Sequence, residues 1–229
     1  MQPDPDDIIN PLSIDCVILS FEAPDLRLLL IQRNQEPKSG FWALPGGFIR
    51  YEEDIDAASK RILGELTGVS DLFMDQLGAF GAVDRYPLRR VVTLAYYAMI
   101  RPGKHQLQPG PEADAVAWHS TRNLPELPFD HQSIVDAALQ RLQQQVRHRP
   151  IGFNLLPESF TLLQLQQLYE AILDRPFDKS NFRRKLRRMD LLVPLDRYED
   201  GVAHRAARLH RFDPGRYEAL CEKGFVFDL

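Results

Sequence analysis

Apolar positions along the chain follow two rhythms: short, nearly continuous aliphatic runs dominate the first half, and spacings of three and four dominate the second. Residues 14–21 (IDCVILSF) and 26–33 (LRLLLIQR) are runs of the first kind, joined at Ala23, Pro24 and Asp25. Their aliphatic continuity predicts two strands buried on both faces. Asp15 and Arg33 interrupt the runs, and each reads either as solvation near a strand end or as a side chain facing a cleft. Residues 34–41, with Pro37 and Gly40, form a loop. Further strands are predicted over 74–82, 91–101 and 113–119, with a polar connector containing Asp84, Arg85, Tyr86, Arg89 and Arg90. Residues 131–147 place Ile134, Ala138 and Leu142 on one helical face, and Asp130 is the expected N-cap.

The second rhythm begins after residues 147–160, where two prolines and a glycine mark a boundary between domains over 1–150 and 151–229. Leu162, Leu165, Leu168, Tyr169 and Ile172 predict a helix over 161–173. The turn DRPF leads to Asp178, which caps a second helix, KSNFRRKLRRMD. Residues 191–194 and 207–212 can pair as a hairpin around a polar tip. Helix, tight turn, basic helix and hairpin is the order of a winged helix-turn-helix. The whole chain therefore reads as α+β, an α/β/α sandwich followed by a winged helix-turn-helix domain.

Composition adds a charge asymmetry to this plan. The 229 residues are 44% hydrophobic and 26% charged, ordinary values for a globular protein. Net charge is −4, yet residues 175–211 hold 11 basic and 5 acidic side chains, so one face of the second domain should attract anions. Only Cys16 and Cys221 are present, far apart and without a C-x-x-C pair, so neither a disulfide framework nor a thiolate zinc site is indicated. The acidic, proline-rich start is unlike a secretory leader, and no apolar run approaches a bilayer-spanning length. A cytoplasmic protein without a membrane partner is expected.

Chemistry concentrates in two stretches. The first is WALPGGFIRYEEDIDAASKRILGELTGV, residues 42–69. Its paired glycines, acidic cluster and closing Gly68 resemble the Nudix box, with Gly47, Glu53, Arg61, Leu63, Glu65, Gly68 and Val69 in place. Ile62 and Leu66 stand where that pattern has glutamates. Positions 62, 65 and 66 share one helical face, which in the full motif presents three carboxylates to divalent cations. Here Glu65 is left alone on the helix, with Glu53 as a helper from its start. Efficient hydrolysis is not expected, and no catalytic residue, cofactor or resident metal is assigned. Read without function, Ile55, Ala58, Ile62 and Leu66 are simply an apolar stripe that packs on a sheet.

The second stretch is the basic helix. Six cations and no acid lie between Lys179 and Arg188, while Phe182, Leu186 and Met189 supply a docking face. Following a tight turn, such a helix can enter a major groove. Lys179, Ser180, Asn181 and Arg184 are the candidates for base edges, and Arg183, Arg187 and Arg188 for phosphates. His204 and Arg205, with Arg208, would extend the contact from the hairpin.

Together the segments AASKRILGELTG, GAFGAVDR, PIGFNLLPESFTLLQLQQLYEAI and DKSNFRRKLRRMD resemble the Nudix-related bacterial transcriptional regulators over most of the chain. The resemblance looks nearest to the sugar-responsive branch typified by the arabinose-utilisation regulator, which senses L-arabinose. It implies a homodimer on a palindromic, double-stranded DNA operator and a small-molecule effector. The candidate effector-binding residues are Asp15, Arg33, Trp42, Glu53, Glu65, Asp84 and Arg85. A related branch governs NAD metabolism and responds to ADP-ribose, and Arg85, Arg89 and Arg90 suit its diphosphate. Two other classes stay open: a residual Nudix hydrolase of ADP-ribose or another nucleoside diphosphate derivative, and a module whose basic helix binds acidic protein or RNA.

Overall fold

A computed structural model describes residues 11–70, 72–201, 206–225 and 227. The chain divides into two compact units, Met1–Ser20 with Arg27–Leu139 and Phe21–Leu26 with Gln140–Leu229. The first is built on β1 (Leu12–Glu22) and β2 (Asp25–Arg33) apart from their shared turn, on β3 (Trp42–Ala43), β4 (Gly46–Phe48), β5 (Asp75–Phe80), β6 (Val92–Met99) and β7 (Ala113–Ser120), on helix α1 (Ile55–Thr67) and on the first half of α2 (His131–His148), which from Gln140 belongs to the second unit. Strand order is β3-β2-β1-β6-β5, with β4 also paired to β1 and β7 to β2. The aliphatic run of β1 makes it central: it runs parallel to β6 from Leu12 opposite Val92 to Leu19 opposite Met99.

Burial on both faces of β1 follows from alternation along a strand. Ile14, Cys16 and Ile18 pack in one cluster with Ala58, Ile62, Leu63 and Leu66 of α1. Val17 and Leu19 face the other way and are equally buried, and α2 carries the buried stripe Ile134, Val135 and Ala138. A mixed sheet with helical layers results.

Helix α1 begins where the Asp54 carboxylate accepts the Ala57 N–H at 2.7 Å. It ends at Gly68, which adopts φ +75 and returns its N–H to the Gly64 carbonyl. Two sequence expectations change here. Ile55 is 41% exposed, so the stripe begins at Ala58 rather than at the first turn. Asp130 does not spend its carboxylate on capping α2, because both oxygens accept from Arg85, at 2.7 and 2.9 Å.

The second unit contains a 3-10 turn (Pro150–Leu155), α3 (Leu162–Leu173), α4 (Lys179–Met189), β8 (Leu192–Tyr198), β9 (Arg208–Phe212) and α5 (Pro214–Cys221). Thr161 and Gln164 form a reciprocal capping box at the start of α3. Glu170 closes the turn into α4 by accepting from the Phe177 N–H at 2.8 Å and from Gln166 at 2.9 Å. Phe160 forms an isolated antiparallel bridge to His210 beside the hairpin. The hairpin is longer than expected, since β8 continues past Pro194 through an irregular register. Helix α5 was unanticipated because it buries no residue and so carries no apolar stripe.

Candidate functional site

A cavity of about 710 Å³ opens in the first unit beside β4 and α1. A charged network built by β1, the connector after β5 and the start of α2 lies against it. Arg85, 7% exposed, donates to Asp15 at 2.9 Å and to both oxygens of Asp130. Burial opposes the charge of Arg85, but Asp130 and Asp15 hold its pKa above the ordinary value. His131 accepts the Leu44 N–H at Nδ1, 3.1 Å away, and places Nε2 3.5 Å from Asp15. Gly46 is required by this arrangement: a Cβ there would meet the Asp15 carboxylate oxygen and the Ile14 carbonyl inside contact distance.

The retained acids of the Nudix-like stretch form a second network. Arg61 donates to Glu53 at 2.7 Å and to Glu65 at 3.0 Å, and Arg50 reaches Glu65 at 3.4 Å. Hydrogen bonding from Arg61 holds the Glu53 carboxyl down at about 2. A divalent cation, which the full motif would hold, does not fit these residues. Ile62 and Leu66 are buried apolar side chains, and Glu53 and Glu65 are already committed to Arg61. Among the described residues no group of three His, Cys, Asp or Glu side chains converges.

Aromatic rings complete the cavity wall. Phe48, Tyr86 and Phe129 line it in series, Phe48 edge to face with Tyr86 at 6.4 Å and Tyr86 tilted against Phe129 at 5.2 Å, with His131 next at 5.4 Å. Phe129 takes φ +59, a conformation costly for a bulky side chain. Arg33 lies over the Phe129 ring at 5.5 Å, and its Nε is buried without a hydrogen-bond partner.

Four of the seven candidate effector residues line the cavity, namely Asp15, Arg33, Glu65 and Arg85. The other three do not. Trp42 packs against His119 at 4.4 Å, Glu53 is taken up by Arg61, and Asp84 is exposed outside the wall.

On α4, Phe182, Leu186 and Met189 are buried, which turns Ser180, Arg184, Arg187 and Arg188 outward on the opposite face. Lys179 and Asn181 are also exposed. Arg184 donates to Asn181 at 2.6 Å, so the two polar groups are held as one unit. Arg183 differs from its neighbours: it is half-buried, its Nε lacks a partner, and its charge helps depress His210 on β9, which burial lowers first. His204 and Arg205 fall outside the described residues.

Comparison with known proteins matches both units. Residues 10–141 match the Nudix domain family, and residues 152–212 match the NrtR DNA-binding winged helix domain. The ADPR responsive transcriptional repressor NtrR of Acinetobacter baylyi is 33% identical over 211 residues, covering 90% of this chain and 84% of that protein. The chain belongs to the NrtR family of Nudix-related regulators. Shewanella oneidensis NrtR complexed with a 27mer DNA superposes with a TM-score of 0.75 at 29% identity, over 95% of this chain and 99% of that one. The Nudix domain of the same protein complexed with ADP ribose superposes at 0.55 with 30% identity, over 61% and 94%.

Membership in the NrtR family makes the chain a DNA-binding regulator built on a Nudix domain. It corrects the expected branch, because these relatives place the chain beside NrtR and an ADPR-responsive repressor and do not support L-arabinose. The site residues that sequence reasoning missed are His131, Tyr86, Phe129, Arg50 and, as a network member, Asp130. Arg50 stood inside the Nudix-like stretch and the doublet Phe129–Asp130 abutted a predicted helix start, but nothing local tied either to a cavity.

Proposed function

We propose that this chain regulates transcription by binding duplex DNA through α4 and the β8–β9 hairpin, and that its Nudix domain senses ADP-ribose. The observation that carries the effector is the cavity's polar inventory. Of the four carboxylates that line it, Asp15 and Glu65 are already bonded to arginines, which leaves Glu36 and Glu112 for sugar hydroxyls. Cations remain: Arg33 has an unpartnered Nε, and Arg50 is 64% exposed with one long ion pair. A diphosphate supplies charge-assisted acceptors for both, and the Phe48–Tyr86–Phe129 wall offers ring faces to a base or ribose. The names of the Acinetobacter repressor and the Shewanella complex agree with that chemistry.

This reading assigns no hydrolysis, since buried Ile62 and Leu66 stand where the full motif has metal-holding glutamates and no acid cluster converges among the described residues. Family resemblance adds a homodimer on a palindromic operator, which sedimentation of the chain with and without its operator checks. Calorimetric titration tests the effector. ADP-ribose should bind and L-arabinose should give no heat. Arg33→Ala should weaken ADP-ribose by about tenfold, from the loss of a charged contact. Binding of arabinose, or an Arg33→Ala variant indistinguishable from the parent, would refute the assignment.

A further inference from the structure

Glu65 is the acid that α1 keeps on the face where the full Nudix motif holds metal, yet its carboxylate sits between two guanidiniums. Arg61 Nη1 donates to Oε2 at 3.0 Å and Arg50 Nη2 to Oε1 at 3.4 Å. Arg61 has a firmer partner in Glu53, at 2.7 Å, and also donates to the Phe48 carbonyl at 3.1 Å. Arg50 has no other ion pair among the described residues. All three side chains line the ligand cavity.

We propose that Glu65 is the cavity's resident counter-anion, holding Arg50 in the ligand-free protein until a ligand's diphosphate takes its place. The inference rests on the reading of the cavity as a nucleoside diphosphate site. Glu65 is 47% and Arg50 64% exposed at the side chain, so their pair is solvated and weak. A diphosphate carries more charge and accepts from a guanidinium in fork geometry, and the exchange favours the ligand. Glu65 thus sets affinity from the opposite direction to a metal ligand: its negative charge competes with the effector rather than recruiting it. Ile62 and Leu66 leave it without the neighbouring carboxylates that a cation would need.

Calorimetric titrations of the full chain with ADP-ribose, and separately with inorganic pyrophosphate, in EDTA and again in Mg²⁺, decide the matter. Glu65→Gln should bind both probes about three- to fivefold more tightly, the range expected from releasing an exposed ion pair. The gain should be the same with and without Mg²⁺, and should vanish when Arg50→Ala is also present. Glu36→Gln is the control, because Glu36 lines the same cavity and makes no ion pair among the described residues. It should change affinity less. Weaker or unchanged binding by Glu65→Gln overturns the proposal, as does an equal gain in Glu36→Gln, a gain that survives loss of Arg50, or Mg²⁺-enhanced binding that Glu65→Gln abolishes. If pyrophosphate shows the pattern while ADP-ribose does not bind, the effector assignment fails and the counter-anion role stands. If neither probe binds either protein, both fall. Thermal unfolding of each variant confirms that a folded chain was titrated.

Discussion

His131 has one ring nitrogen committed before any ligand arrives. Its Nδ1 accepts the Leu44 N–H, so the single proton of the neutral ring sits on Nε2, toward Asp15. A second proton would displace Leu44 and charge a buried ring. Burial pushes the His131 pKa below its ordinary 6.5, Arg85 and Arg33 add to that, and Asp15 and Asp130 oppose it. The sign follows from linkage. A histidine with a depressed folded pKa contributes stability that is present above about 6.5 and is lost as pH falls, because the unfolded chain takes up the proton first. Thermal midpoints should therefore drop as pH is lowered from 7 toward 5, and His131→Gln should flatten that dependence. His119 and His210, also depressed by burial, leave a residual slope. Identical slopes in variant and parent would rule out a buried neutral His131.

Two helices carry the functional contrast between the units. In α1, Ile62 and Leu66 are 2% and 4% exposed inside the first core cluster. Restoring the motif with Ile62→Glu and Leu66→Glu places unpaired charge among aliphatic side chains, at a cost of about 3 kcal/mol or more. Chemical denaturation should show that loss, and ADP-ribose incubated with the variant and Mg²⁺ should stay intact. Recovery of turnover at parental stability would mean that the helix is still a metal site. In α4, Arg184→Ala should relax preference at about one base pair and cost roughly 1–3 kcal/mol, whereas Arg187→Ala should lower the salt slope of DNA binding by about one unit with no change of preference. Anisotropy titrations across salt and operator variants separate the two effects. These elements were legible in sequence because their signals are local: aliphatic continuity in β1 and β2, the glycine and acid spacing around α1, and the apolar triad of α4 among cations. Asp15 also stood out, as a charge within a buried strand. Its partners did not, since Arg85 lies 70 residues along the chain and Asp130 another 45, and no periodicity encodes such a pairing. Trp42 is nominated for the effector site by its place in the Nudix-like stretch, but its ring packs on His119 from β7 and does not line the cavity.

At the scale of the whole molecule, an overall charge of −4 conceals the strongly basic helix α4. The first unit presents a cavity of guanidiniums and rings, and the second presents cations on a docked helix. On the proposed function both surfaces would receive anions, the first a small diphosphate and the second a duplex backbone. Regulation requires that the effector bind two states of the protein unequally, so that DNA affinity and effector affinity change by the same factor. The most direct test is anisotropy of a labelled duplex from the upstream region of the genes that neighbour this one, titrated with the full chain at several salt concentrations in the presence of ADP-ribose or L-arabinose. Salt-dependent binding that ADP-ribose shifts and L-arabinose leaves unchanged is the predicted result. Binding that responds to arabinose, or that ignores ADP-ribose at concentrations saturating the calorimetric site, would contradict it.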